Sequence, residues 1–301
     1  MNEHASLLSQ VLEAWRALPL GLYEKLFIKA VVLGVCIYFV IYVIERACGT
    51  RTDNYRSKGF LHDSMYWIYF EGGFNAFFVG LGFRSLLTAY LEEPLSFFDV
   101  KLLTPLPFFL QAVIFLVVSD FINYWVHRAE HRYKFMWAFH TTHHSQEKLT
   151  FATTIRQHPV TYFYQELSVY IPMRILGVDP MSWLPLFILQ HLITASHHSQ
   201  IPLNFGPLNR VIVTPSFHSY HHSTDPAHHN KNFSGTFAAW DYLFGTAVKD
   251  GIPKPTQYGL DDVKPTSLWS TLATPFRLLY QFYLVRDRTT NPERLGNRTG
   301  I

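Results

Sequence analysis

Cysteine is almost absent from these 301 residues. Cys36 sits inside an apolar run and Cys48 just beyond it, so neither a disulfide framework nor a thiolate metal site is indicated. Charge is scarce too. Asp, Glu, Lys and Arg make up 16% of the chain and the formal net charge is +3, too modest to argue for nucleic acid as a partner. The basic residues stand beside apolar runs, where an anionic lipid surface is the better match. The sequence has no Gly-x-Gly-x-x-Gly dinucleotide loop, no cysteine set for an iron–sulfur cluster and no appended haem domain, so electrons for any redox chemistry must come from outside. Internal repeats and low-complexity linkers are missing as well, and residues 1–301 read as one domain.

Apolar residues are plentiful. They form 49% of the chain, and the mean hydropathy is slightly positive, which is too apolar for a typical soluble domain and matches a polytopic membrane protein. Residues 1–20 read as an interfacial amphipathic helix, with no basic n-region or cleavage site of a removable signal peptide. Residues 21–126 hold three spans. The first runs from Phe27 to Ile44 and is followed by a basic loop (Arg46, Arg51, Arg56, Lys58) that places this side in the cytoplasm and the N-terminus outside. The second, about Ser64 to Tyr90, is interrupted by Glu71, Gly72, Gly73 and Arg84 and reads as kinked or tilted. An acidic loop (Glu92, Glu93, Asp99) leads into the third, Leu106 to Val126, which delivers His127 to the cytoplasmic side. Residues 127–250 form a His-rich cap that includes a helical hairpin at 160–195, turning at Gly177-Val178-Asp179-Pro180. Residues 251–301 supply an amphipathic helix at 266–283 and a polar tail. The expected fold class is therefore all-α: a polytopic membrane helical bundle of about four spans, one of them able to be re-entrant, under a cytoplasmic His-rich helical cap.

Histidine is the outlier, with 16 copies. Two clusters share one shape, His140-Thr141-Thr142-His143-His144 and His218-Ser219-Tyr220-His221-His222, and the pair His127 and His131 lies upstream. On a helix, residues i, i+3 and i+4 share a face with Cβ atoms about 5–6 Å apart, so each run points three imidazoles one way. Adjacent imidazoliums repel, whereas neutral imidazoles are common ligands of zinc and iron, and a repeated spacing is not what independent surface residues produce. The topology brings these clusters, with His197 and His198, to one face of the membrane. Within the third span Asp120 precedes His127 by seven residues, about two helical turns, and an intramembrane carboxylate is a functional candidate.

These residues resemble a known family. His127-Arg128-Ala129-Glu130-His131, the first His-x-x-His-His run, Arg156-Gln157-His158-Pro159, Gln200-Ile201 after His198-Ser199, Thr214-Pro215 before Phe217-His218, and Trp240-Asp241 with Phe244-Gly245-Thr246 look like the fatty acid hydroxylase superfamily, also called the sterol desaturase family. The resemblance runs from about Leu110 to Ala247. It implies an integral membrane, multi-pass, non-haem di-iron oxygenase with its site on the cytoplasmic face, which hydroxylates or desaturates sterols, fatty acyl chains, carotenoids or ether lipids using O2. Carried over by position, its ligands are His127, His131, His140, His143, His144, His198, His218, His221 and His222. His198, ahead of Gly206-Pro207-Leu208-Asn209, fits the single-His position better than His197, which stands where other members often have Gln. His158, His197 and His229 remain as further possible ligands, and Asn230 stands where Asp is common.

Nine imidazoles suit two metals with positions left over, whereas one structural zinc would use four ligands and magnesium or calcium would prefer oxygen. Iron follows from the chemistry of the family, and zinc can replace it in purified protein. Asp120 and Asp241 are candidates to orient metal-bound imidazoles by accepting the other ring N–H. An external donor such as a ferredoxin or a cytochrome b5-like protein is implied, and Arg128, Arg132, Lys134, Lys148 and Arg156 can dock an acidic one, although the same residues suit lipid headgroups. Two other functions compete. A metal transporter needs ligands inside the spans, and a bis-His haem carrier needs paired His on facing spans; the clusters here suit neither.

Overall fold

The computed structural model describes residues 20–50, 53–69, 96–178, 180–249, 251–264 and 267–284. Its α-helices, in chain order among these residues, are α1 (Leu20–Ala47), α2 (Lys58–Tyr69), α3 (Phe108–Arg132), α4 (Lys134–His144), α5 (Pro159–Leu176), α6 (Pro180–Ser196), α7 (Pro215–His221), α8 (Ala239–Leu243) and α9 (Leu268–Tyr283). There is no strand among the described residues, only an isolated bridge between Ser223 and Tyr258. The all-α expectation is met. Of the expected spans, the first falls inside α1 and the third, but for Leu106 and Pro107, inside α3, while most of the second lies outside the described residues. So do the interfacial helix before Leu20, Glu92 and Glu93, and the tail from 286 onward. Among the described residues one helix, α3, is long and apolar enough to cross a membrane.

The helix boundaries follow local chemistry. α3 begins behind Pro107 and does not stop at Val126; it continues through His127 and His131 until Tyr133 turns extended. The apolar helix and the first histidine pair are thus one rigid rod. A kink at Tyr133 starts α4, whose last turn carries the first His-x-x-His-His run. α5 starts with Pro159 at its first position, where a missing N–H costs nothing, and His158 as its N-cap. It ends at Gly177, whose φ of 70° is the left-handed cap that glycine adopts without a Cβ clash. The expected turn begins at Gly177, but α5 and α6 do not pack chiefly on each other. Both pack on α3. α9 lies across α4, burying Thr271, Thr274 and Leu278 and leaving Trp269, Phe276, Tyr280 and Tyr283 exposed.

Three contact networks fix these parts. Tyr38 of α1 stacks on Phe151, with ring centroids 4.6 Å apart, inside a cluster that includes Ile37, Ile41, Ile155, Ala195 and Ile201. Glu45, also buried, accepts hydrogen bonds from the Tyr55 hydroxyl and the Gln200 backbone N–H, tying the end of α1 to the segment just after His198. The third network is a buried ion pair. Arg156 and Asp63 meet at 2.8 Å. Arg156 also donates to the Thr142 carbonyl at 2.9 Å and the Ser145 hydroxyl at 3.0 Å, and Asp63 accepts from Gln146 at 2.7 Å and Thr153 at 3.0 Å. The C-terminal end of α4, where the histidines sit, is thereby clamped to α2. This corrects one expectation from the sequence: Arg156 is 2% exposed and fully engaged, so it cannot dock a redox partner.

Removing one partner of a buried pair strands the other charge, at about 3–5 kcal/mol. Asp63→Leu is expected to lower the thermal midpoint of the purified protein sharply. The Asp63→Leu/Arg156→Met double variant should lose less than the sum of the two single variants, as a thermal-unfolding mutant cycle would measure.

Candidate metal centre

Nine histidines from α3, α4, the α6 end and the α7 end converge in two groups. His127, His131, His140, His144 and His221 form one, and His143, His198, His218 and His222 form the other; within each group the candidate ligand nitrogens lie within 4.8 Å of one another. The partition runs across the two His-x-x-His-His runs. Each run contributes its i and i+4 residues to one group and its i+3 residue to the other. Helical geometry explains it: i and i+4 differ by about 40° around the axis, while i+3 lies about 60° away on the opposite side. The three imidazoles of a run therefore do not all point at one place, as the shared-face reading supposed.

The distances fit a bound ion. In the four-histidine group the Nε2 of His198 lies 3.3 Å from that of His143, 3.0 Å from that of His222 and 3.1 Å from that of His218, and His218 and His222 are 3.1 Å apart. In the other group the Nε2 atoms of His140 and His144 are 3.1 Å apart. Nitrogens about 2.1 Å from a shared ion stand about 3.0 Å apart at right angles and about 3.4 Å apart at the tetrahedral angle. Hydrogen bonds can join neutral imidazoles in pairs, but four converging Nε2 atoms cannot all be satisfied by one another. Burial, reinforced by neighbouring imidazoles, holds His140, His144, His198, His218 and His222 well below the usual imidazole value and His143 down to about 3. The rings are neutral and their lone pairs available.

The outward nitrogens of three rings, His127, His198 and His221, are held by hydrogen bonds. His127 Nδ1–H donates to the Phe233 carbonyl at 2.7 Å, leaving its buried Nε2 without a hydrogen-bond partner, and His221 Nδ1–H donates to the Lys231 carbonyl at 2.8 Å. His198 Nδ1 meets the Thr154 hydroxyl at 2.9 Å, and His140 Nδ1 lies 3.2 Å from a Glu130 carboxylate oxygen. Glu130 is itself fully buried and accepts from the Tyr164 hydroxyl at 2.7 Å and Gln165 at 3.2 Å. Sequence reasoning did not single out Glu130, although it stands inside the first box, one residue before His131 and ten before His140. The two carboxylates it did single out act differently. Asp241 accepts from the backbone N–H groups of Phe233 and Ser234 at 2.9 and 2.8 Å and from the Thr246 hydroxyl at 2.6 Å. Asp120 accepts from the N–H groups of Thr236 and Phe237 and from the Trp240 indole. Neither receives an imidazole N–H; their oxygens instead fix the loop whose carbonyls do. Asn230 and Asn232, with φ of 57° and 55°, supply the left-handed turns on either side of Lys231, a conformation asparagine tolerates better than most residues.

The three further candidates lie outside both groups. His158 is occupied as a cap: its Nδ1 accepts from the Val160 N–H at 3.1 Å, and its Nε2 meets the Leu272 carbonyl at 3.3 Å. His197 stacks on His218, with centroids 5.0 Å apart, and burial lowers it to about 3. His229 lines a small pocket with Trp137 and Leu278. A larger cavity of about 470 Å³ reaches ligands of both groups, His127 and His140 on one side and His143, His198 and His218 on the other.

Comparison with known proteins agrees with this geometry. The fatty acid hydroxylase family matches residues 112–246, which hold all nine histidines. The chain is 29% identical over 202 residues to the ornithine lipid hydroxylase OlsE of Rhizobium tropici, covering 66% of this chain and 60% of that protein. It is 32% identical over 174 residues to the alkylglycerol monooxygenase of Caenorhabditis elegans, covering 58% of this chain and 34% of the relative. To a putative Δ7-sterol-C5(6)-desaturase of Arabidopsis thaliana it is 31% identical over 145 residues, 46% of this chain and 49% of that protein. The match thus spans between about a third and three fifths of these relatives' lengths. No solved structure matches the chain.

Two outcomes are expected of the centre. His218→Ala should reduce bound metal from two ions per chain towards one, and His158→Ala should leave two, as elemental analysis of purified protein will read. Acid should also destabilise the metal-stripped protein. The folded-state values of the buried rings lie below the unfolded value of about 6.5, so the unfolded chain takes up protons first. The stability contributed by the neutral rings is complete above about pH 6.5 and is lost as pH falls from there towards 3, more steeply than one titrating group allows. Thermal midpoints recorded from pH 7.5 to pH 5 test it.

Proposed function

We propose that this chain, whose residues 112–246 are a fatty acid hydroxylase domain, is an integral membrane oxidoreductase that hydroxylates a C–H bond of a membrane lipid using O2 and two irons. The observation that carries the reading is the division of nine imidazoles, eight of them buried, into sets of five and four that share one cavity. Ions held there supply the reduction of O2 and the oxidation of the C–H bond. The overall change is R–H + O2 + 2e⁻ + 2H⁺ → R–OH + H2O. The electrons come from an external one-electron carrier, a ferredoxin or a cytochrome b5-like protein. Arg128, Arg132, Lys134 and Lys148 are the candidate docking residues, Arg132 and Lys148 being exposed.

The protein's own part is to hold, orient and enclose. His127, His131, His140, His144 and His221 hold one ion and His143, His198, His218 and His222 the other. Glu130, Thr154 and the carbonyls of Lys231 and Phe233 keep the rings aimed. The chain sits in the membrane as a multi-pass bundle of about four spans, with the histidine centre at the cytoplasmic face. Supporting this are the apolar length of α3, the exposed Val35, Phe39, Val40 and Val43 on α1, and the exposed aromatic residues of α9, which suit the headgroup region. A metal-transport function is not favoured, because the ligands form one closed centre instead of a path of sites along the spans.

The test is direct. Purified protein should carry two irons per chain with no Soret band, and ¹⁸O from labelled O2 should enter a lipid that differs between gene-deleted and wild-type cells. His143→Ala and His221→Ala should each lower turnover to background while membrane insertion persists. A mass change of minus two hydrogens would make the reaction a desaturation, and absence of any O2-dependent lipid change would sink the reading.

A further inference from the structure

A second cavity, of about 700 Å³, shares no described lining residue with the one beside the histidine centre. It is a groove between α1 and α2. Val35, Phe39 and Tyr42 line it from α1 and Phe60 and Ile68 from α2, and the buried stack of Tyr38 on Phe151 forms its floor. The two helices run in opposite directions along it: Tyr38 meets Trp67 edge-on with ring centroids 5.9 Å apart, and Tyr42, one turn further on, meets Tyr55 at 5.1 Å. Arg46, at the end of α1, and Arg56, just before α2, therefore line the same end of the groove, and both are exposed. No Asp or Glu is among the described lining residues. Of the carboxylates close by in sequence, Glu45 is buried and accepts from Tyr55 and Gln200, while Asp53 stands in the same turn, offset by the exposed Lys58. Val35 and Arg46 are eleven residues apart, about 16 Å of helix. That is the depth of one leaflet, half of a hydrocarbon core about 30 Å thick.

We propose that this groove binds one anionic phospholipid of the cytoplasmic leaflet, with an acyl chain along the aromatic floor and the phosphate at Arg46 and Arg56, and that this lipid is distinct from the one that is oxidised. The inference rests on the membrane-embedded reading of α1 and not on the reaction. Two guanidinium groups at headgroup depth recognise a phosphate through charge-assisted hydrogen bonds, and the aromatic wall below them offers a chain nothing polar to desolvate along most of its length. A chain held here lies against none of the nine histidines, because none of them lines the groove. Both ends of the contact nevertheless reach the four-histidine group. Phe151 opens the short helical turn Phe151–Ile155, whose Thr154 hydroxyl meets His198 Nδ1 at 2.9 Å. Glu45, next to Arg46, accepts from the backbone N–H of Gln200, two residues past His198. A lipid that fills the groove binds the folded chain and so stabilises the packing that places His198.

The experiment is native mass spectrometry of the full chain, purified in a neutral detergent and titrated with dioleoyl phosphatidylglycerol or dioleoyl phosphatidylcholine. One phosphatidylglycerol should bind per chain, and more tightly than phosphatidylcholine. Arg46→Gln and Arg56→Gln should each weaken it about fivefold, the contribution of one basic side chain at an anionic headgroup. Lys249→Gln/Lys254→Gln, which removes the same charges from exposed positions elsewhere, should leave it unchanged. Ser64→Phe should block both lipids by filling the groove, since the Ser64 hydroxyl donates to the Phe60 carbonyl of its own helix. Phosphatidylglycerol should also raise the thermal midpoint of the wild-type protein, but not that of the Arg46→Gln/Arg56→Gln variant. Equal binding of the two lipids by the wild-type chain overturns the proposal even if a variant fails to fold, and so do arginine variants that bind as well as the lysine control. A groove lipid that gains oxygen during turnover would be the substrate, and a dimer dissolved by Ser64→Phe would make a second copy the occupant; either result overturns it. Recovery of the protein from cells without detergent fells the membrane reading and the proposal together, whereas membrane-bound protein with no lipid selectivity fells the proposal alone.

Discussion

Nine imidazoles crowded together, eight of them buried, impose the constraint on which the rest of this structure depends. Their lone pairs converge at separations of 3.0–3.3 Å in the four-histidine group, where they cannot all be satisfied by hydrogen bonds to one another. Where the outer nitrogen finds a partner, that bond aims the ring. For His127 and His221 the acceptors are backbone carbonyls, of Phe233 and Lys231, and not carboxylates. The charge needed to build that loop is kept one step back. Asp241 and Asp120 spend their oxygens on backbone N–H groups, giving a buried charge the hydrogen bonds it requires without placing it against the rings. Glu130 is the carboxylate that approaches an imidazole directly.

The crosswise division of the two His-x-x-His-His runs makes the two groups interdependent. α4 gives His140 and His144 to one and His143 to the other, and the α7 end does the reverse with His218, His222 and His221. A shift of either helix would disturb both. This accounts for the effort spent on pinning the α4 terminus: the Arg156–Asp63 pair and its hydrogen bonds hold Thr142 and Ser145, the residues interleaved with the ligands, against α2.

α3 unites the remaining demands on one rod. The apolar helix carries Asn123 to the cavity wall, His127 and His131 to the centre and Glu130 between them, while α5 and α6 pack on it. The two histidine groups and the cavity beside them are thus positioned by the same element that is apolar enough to cross a bilayer.

Much of this was legible in the residues themselves. Helical periodicity, the turn at Gly177 and the histidine spacing are local properties, set by the 3.6-residue period and by the few residues able to adopt a left-handed turn, so the all-helical class and the eight histidines of the three clusters could be read directly, while His198 was chosen over His197 through the family resemblance. Residue identity likewise marked the centre as all-nitrogen. What spacing could not determine is where a side chain points once its helix is packed. The split of each run between two groups depends on how α4 and α7 are rotated against α3. The exclusion of Arg156 from the surface depends on Asp63, 93 residues away. The use of Asp120 as a loop anchor arises from partners more than a hundred residues away in sequence. Local chemistry determined that these histidines would be clustered and helical; only tertiary packing decided which rings face each other, because that depends on helix rotation and on hydrogen bonds closed across long stretches of chain.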